Sequence, residues 1–166
     1  MVAAFLFCLF SSTALAQSAT VNVLLSPPGS IKIKASSVRG FAVERFGIYR
    51  AENVLVGLRH LKTGNLVCDK QAKKILQTKK WHDAVLVSAV GENGKGKGVI
   101  KIRGIARDIS GTYRIEGRSL VATFPIKLSD FKFDPITYAG ITVQDTAIVT
   151  IIVPIRDGRR PASRVH

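Results

Sequence analysis

Cysteine, aromatic side chains and acidic residues are all scarce in this chain, and each scarcity argues against a class of function. Only Cys8 and Cys68 occur among its 166 residues, so no framework of several disulfides and no multi-thiolate metal cluster can form. The histidines, His60, His82 and His166, lie far apart, and none has a second at metal-ligand spacing. Aromatic residues make up 7% of the chain. Phe5, Phe7, Phe10 and Phe41 fall early, and the later ones do not alternate with Lys and Arg along one strand face, as a single-strand nucleic-acid surface requires. No serine sits in a G-x-S-x-G elbow. The glycine-rich segment Gly91–Gly98 places Gly96 after Gly94-Lys95, with the wrong spacing for a phosphate-binding loop. Asp69, Asp83, Asp130, Asp134 and Asp145 fall at expected turns or caps, where Asp serves local hydrogen bonding. The residues therefore argue for a protein that is not an enzyme and needs no metal or cofactor, with no nucleic-acid partner.

A long apolar run is also missing. A bilayer-spanning helix takes about 20 apolar residues, and the longest candidate, Val2–Phe10, is too short. Ser11–Thr13 and then Ala14-Leu15-Ala16 follow it, which is the layout of a secretory signal peptide over residues 1–16 cut after Ala16, although no Lys or Arg precedes the run. The expected location is periplasmic or secreted, and Cys68 would be alone in the exported chain. Lys and Arg number 25 against 11 Asp and Glu, a net charge of +14. The positive charge is spread along the chain. Lys32 and Lys34 alternate with Ile31 and Ile33, and Lys101 and Arg103 with Ile100 and Ile102. This is the wet face of strands whose other face is buried. Peripheral attraction to an anionic membrane is the functional alternative.

What is present is strand after strand. Thr20–Leu25 is β-branched and stops at Ser26-Pro27-Pro28-Gly29. Ile31–Val38, Phe41–Ile48 and Asn53–Leu61 follow as strands. From Asp69 to about Lys79 a helix is expected, capped by Asp69, with Ala72, Ile75 and Leu76 as a narrow apolar stripe. Ala84–Val90, Val99–Arg103, Arg107–Ile115 and Ser119–Leu128 form a wall of strands. Gly91–Gly98 is read as a hairpin loop with Asn93-Gly94 at its apex, Gly104 as a bend and Glu116-Gly117-Arg118 as a turn. After a longer connection, Ser129–Tyr138, the strands Ile141–Val143 and Thr146–Ile155 close a domain running from residue 17 to 155. A basic, disordered tail is expected over 156–166. Eight or nine short strands with one helix fit a barrel or a sandwich.

Between Ile31 and Ile155 the order of several segments resembles the YceI-like lipid/polyisoprenoid-binding family. The segments are Phe41–Phe46, Leu61–Gly64 leading to Asp69, Trp81–Ser88, Gly96–Ile105, Phe124–Phe131 and Tyr138–Asp145. Members of that family often carry an Arg-Asp pair followed by a His, where this chain has Cys68-Asp69 and Gln71, so roles of that Arg or His do not carry over. The resemblance implies an all-β, lipocalin-like, eight-stranded antiparallel β-barrel with one short α-helix packed on it. It also implies a long-chain lipid or isoprenoid ligand held non-covalently inside the barrel, the protein acting as carrier or store. Strand alternation gives the inward-facing candidates Ile33, Val56, Leu58, Ile100, Ile102, Tyr113, Ile115, Leu120, Phe124, Ile126, Val149, Ile151 and Val153, each of which ordinary core packing explains as well as ligand contact. The competing expectation is a packed barrel, monomer or homodimer, that binds anionic membrane or envelope components through its basic surface.

Overall fold

The structure is a computed structural model that describes residues 16–26, 29–138 and 140–158. Its strands are β1 (Ser18–Ser26), β2 (Gly29–Ala35), β3 (Val38–Arg39), β4 (Ala42–Arg45), β5 (Ile48–Gly57), β6 (Asp83–Glu92), β7 (Lys95–Ile102), β8 (Ile105–Glu116), β9 (Ser119–Lys127), β10 (Thr137–Tyr138) and β11 (Ile141–Asp157). One α-helix, α1 (Leu66–Ile75), and a 3-10 turn at Leu128–Phe131 complete the described elements.

The sheet closes on itself through β4, β5, β6, β7, β8, β9 and β11. The all-β barrel with a single helix is thus as expected, but the closed ring has seven strands, not eight, and is not wholly antiparallel. β11 explains both differences. Along one edge it pairs antiparallel with β9, from Thr146 opposite Lys127 to Pro154 opposite Ser119. Along the other edge it first pairs with β1, which in turn pairs with β2. Past β1, the residues Ile155, Arg156 and Asp157 pair in parallel with Ala42, Val43 and Glu44 of β4. The wall is therefore completed by β4 at one end of β11 and by β1 and β2 at the other. The expected tail at 156–166 accordingly starts too early, since Arg156 and Asp157 are strand residues; residues 159–166 lie outside the described part, as do 1–15 of the expected signal and Pro27-Pro28.

Several boundaries differ from expectation for identifiable reasons. The expected strands Phe41–Ile48 and Asn53–Leu61 are the two arms of one hairpin, β4–β5, but it turns at Phe46-Gly47, inside the first of them, and β5 ends at Gly57. Both turn residues have positive φ, 54° and 78°, and the Gly47 N–H donates to the Glu44 carboxylate at 2.8 Å. Phenylalanine is a poor turn signal, so the sequence hides this hairpin. Asn93-Gly94 is a tight turn as expected, but the strands run up to it, with Glu92 opposite Lys95, and Gly91–Gly98 is not a loop. Arg103-Gly104, expected only as a bend, has φ of 51° and 77° and is a two-residue hairpin turn between β7 and β8. The helix starts earlier than expected. Asn65 caps it, its side chain accepting from the N–H groups of Val67 and Cys68 at 2.8 and 3.3 Å, and Asp69 lies inside the first turn. Finally, Ile141–Val143 and Thr146–Ile155 are one continuous strand.

One face of the wall is apolar because strand side chains alternate. On β11, Ala147, Val149, Ile151 and Val153 are buried, while the residues between them are half-buried. On β9, Phe124 and Ile126 are buried, and Pro125 and Lys127 are exposed. These faces meet inside the barrel. A β-bulge between Leu86 and Ser88 bends β6 around that interior.

Candidate functional site

The described residues line a large cavity and a small one. The large cavity is about 400 Å³, within the roughly 300–1,000 Å³ typical of sites for small organic ligands. Its wall uses Ala19, Val21, Val23 and Leu25 of β1, Ile31, Ile33 and Ala35 of β2, and Val56, Leu58 and Leu61 at and after the end of β5. Ala84, Ile100, Ile102 and Ile126 continue it, Leu128, Phe133 and Ile136 come from the connection, and Ile141, Val143, Val149 and Ile151 from β11. The helix supplies Val67, Cys68, Gln71, Ala72, Ile75 and Leu76. The apolar stripe expected to lie on the barrel thus faces an open space inside it. No lining residue is charged; only Thr63, Cys68, Gln71 and Thr137 bring polar atoms.

Four of the lining residues, Val67, Gln71, Thr137 and Ile141, are exposed, and the others are buried or half-buried. They mark the mouth, with the start of α1 on one side and the β10–β11 turn on the other. Each side is fastened by a carboxylate. Asp69 accepts from the N–H and the hydroxyl of Thr63, at 2.6 and 2.7 Å. Asp145 accepts from the N–H and the hydroxyl of Ser129, both at 2.7 Å. These hydrogen bonds favour the ionised form, so the hydroxyl bond from Thr63 first and its N–H second hold Asp69 below the ordinary carboxylate range, and Ser129 does the same for Asp145. Behind the helix, Trp81 lies against Gly104, where a Cβ would come within 2.7 Å of the indole ring. The neighbouring Arg103 guanidinium stacks 4.7 Å from the centre of the Phe133 ring. The β7–β8 turn thus touches segments from both sides of the mouth.

The small cavity, about 80 Å³, lies at the other end of the same strands. It is lined by Tyr49, Tyr113, Leu86, Leu120, Phe124 and Val153, and by the glycines Gly91, Gly96, Gly98 and Gly111. The two tyrosine rings are 5.3 Å apart and tilted by 58°. Burial, and then the negative charge of Glu44, push the Tyr49 hydroxyl above its ordinary pKa. The glycines make room for the rings: a Cβ on Gly91 would fall 2.6 Å from the Tyr113 ring. Ile151 lines both cavities.

Ile33, Val56, Leu58, Ile100, Ile102, Ile126, Val149 and Ile151 all line the large cavity. Tyr113, Leu120, Phe124 and Val153 line the small one, with Ile151 shared. Ile115 lines neither and is 41% exposed. It stands near the end of β8 beside the Gly117-Arg118 turn, where alternation no longer buries a side chain. The inward-facing candidates left out the whole of β1, Ile31 and every helix residue of the large cavity. The signal was present in part, since Val21, Val23 and Leu25 alternate as cleanly as any residues in the chain. Of the histidines, His82 contacts the Arg59 guanidinium at 2.7 Å and the Lys79 carbonyl at 3.1 Å, and His60 is exposed. Among the described residues no three His, Cys, Asp or Glu side chains converge to hold a metal.

No family model matches this chain, and no curated protein sequence does either. Solved structures do match. BcnA of Burkholderia cenocepacia superposes with a TM-score of 0.59 at 13% identity, over 81% of this chain and 94% of its own. A polyisoprenoid-binding domain from Saccharophagus degradans, implicated in plant cell wall breakdown, gives 0.58 at 14% identity, over 84% and 93%. The fold is YceI-like. At such identities the likeness is one of architecture.

Proposed function

We propose that this protein is an exported lipid-binding protein that holds a long-chain lipid or isoprenoid non-covalently in the large cavity, as carrier or store, and is not an enzyme. The observation that carries the reading is an uncharged, largely aliphatic cavity of about 400 Å³ inside a barrel. An apolar chain moving from water into such a space gains about 0.8 kcal/mol per buried CH₂, and no reacting group is needed. The architecture shared with a polyisoprenoid-binding domain supports the choice of guest. Export is supported by the composition of residues 1–16.

The test uses protein recovered from its native host. Native mass spectrometry is expected to show a lipid bound at one per chain, released into organic solvent and identifiable there. N-terminal sequencing is expected to begin at Gln17. Bare protein from lipid-replete cells, with no uptake of added prenyl or acyl chains, overturns the binding reading. A cytoplasmic protein with Met1 intact overturns the export reading alone.

A further inference from the structure

We propose that the cavity mouth is a membrane-docking face, with the start of α1 seated on an anionic bilayer so that the cavity opens toward the lipid. The proposal rests on the lipid-binding reading and adds the surface through which a guest enters or leaves.

Three observations converge on one place. First, Leu66 and Val67, in the first turn of α1, are 75% and 57% exposed. The Asn65 cap holds them in helical geometry, so they project as a fixed apolar pair. Val67 also belongs to the mouth, and Ile141, 41% exposed, lies on the mouth's other side. The apolar surface is therefore continuous from the helix tip into the cavity. Second, the charge on the helix side of it is nearly all of one sign. Between Leu61 and Lys80 stand Lys62, Lys70, Lys73, Lys74, Lys79 and Lys80, and the single acidic residue is Asp69, whose carboxylate is turned onto Thr63. Lys70 and Lys74 follow Leu66 at helical i, i+4 spacing and are exposed. On the connection side, Lys127 and Lys132 offset two of Asp130, Asp134 and Asp145, and the Asp145 carboxylate is turned onto Ser129. Third, a guest suited to this lining is sparingly soluble in water and resides in a membrane, so a mouth facing the bilayer spares it the aqueous phase. A short amphipathic contact with lysines beside it fits the headgroup region of anionic lipid.

The experiment is vesicle flotation of the protein as exported by its host, on phosphatidylcholine vesicles with and without phosphatidylglycerol. Binding is expected only where phosphatidylglycerol is present, and is expected to weaken with added salt. Leu66→Asp, and separately Lys70→Gln with Lys74→Gln, are each expected to lower the bound fraction about tenfold. Circular dichroism and the amount of co-purifying lipid should be unchanged. Lys95→Gln with Lys97→Gln, at the opposite end of β7, removes equal charge and is expected to leave binding intact. Equal binding to neutral vesicles, or equal loss in the Lys95/Lys97 variant, overturns the proposal. So does a wild-type dimer that the Leu66→Asp variant turns into a monomer, which would assign the face to a second copy. Lipid-free protein that still floats on anionic vesicles would separate failure of the lipid-binding reading from failure of this one.

Discussion

The two ends of this barrel are built from the same strands and are opposite in kind. β7 runs from Gly96 and Gly98 at the small cavity to Ile100 and Ile102 at the large one; β9 runs from Leu120 and Phe124 to Ile126; β11 runs from Val153 to Val149. At the small end glycines yield their side-chain space to Tyr113 and Phe124, so side chains nearly fill the interior. At the large end aliphatic side chains of moderate size leave the middle open, and the helix covers part of it. A barrel of this size can be filled by side chains or keep an open interior, and here each solution occupies one end.

Adding carbon atoms at each end breaks the comparison most directly. At the filled end, Gly111→Ala places a Cβ 2.2 Å from the Thr123 carbonyl and 2.7 Å from Phe124 Cβ. Backbone cannot step aside cheaply, so denaturant unfolding should show a loss of about 3 kcal/mol. At the open end, Ala84→Leu adds three carbons facing free space. On lipid-free protein its stability should stay within about 1 kcal/mol of wild type, while the amount of co-purifying lipid falls. Equal destabilisation at both ends would mean that the large cavity collapses in solution.

A smaller effect sharpens the account of the filled end. Gly91→Ala presses on the ring of Tyr113 rather than on backbone, and should cost on the order of 1–2 kcal/mol. In a Tyr113→Ala background that cost should largely vanish, a coupling readable in a double-mutant cycle. Additive costs would show that Gly91 is required for backbone reasons alone.

The smallest effect concerns the mouth. Asp69 and Asp145 both have folded-state pKa values below the ordinary 3.8. Their contribution to stability is therefore complete above that value and is lost as pH falls through the lowered folded pKa. Melting temperature should drop as the pH goes below about 4, and Asp69→Asn with Asp145→Asn should flatten that part of the profile. An unchanged acid limb in the double variant would remove the two carboxylates as fasteners of the mouth.

The wall was legible in the sequence, because alternation along β7, β9 and β11 is a direct record of which face is buried. Asn93-Gly94 and the Gly117 turn were legible for conformational reasons. The mouth was not. Its helix begins at Asn65, a good cap that was overshadowed by Asp69, whose carboxylate serves Thr63 instead. The stripe Ala72, Ile75 and Leu76 was visible, yet periodicity identifies an apolar face without saying whether it meets side chains or an empty space. Phe46 concealed the β4–β5 turn, and the seam between Ala42–Glu44 and Ile155–Asp157 joins residues too distant in sequence for any local pattern to announce it.

That seam carries a kinetic consequence. β11 is the last described strand of the chain, and it touches β1, β4, β9 and β10. Without it, β1 lacks one of its two neighbours, β9 has an open edge, and β4 lacks its parallel partner. Contacts of this sequence separation form slowly, so closing the ring at this seam is expected to be a late event in folding.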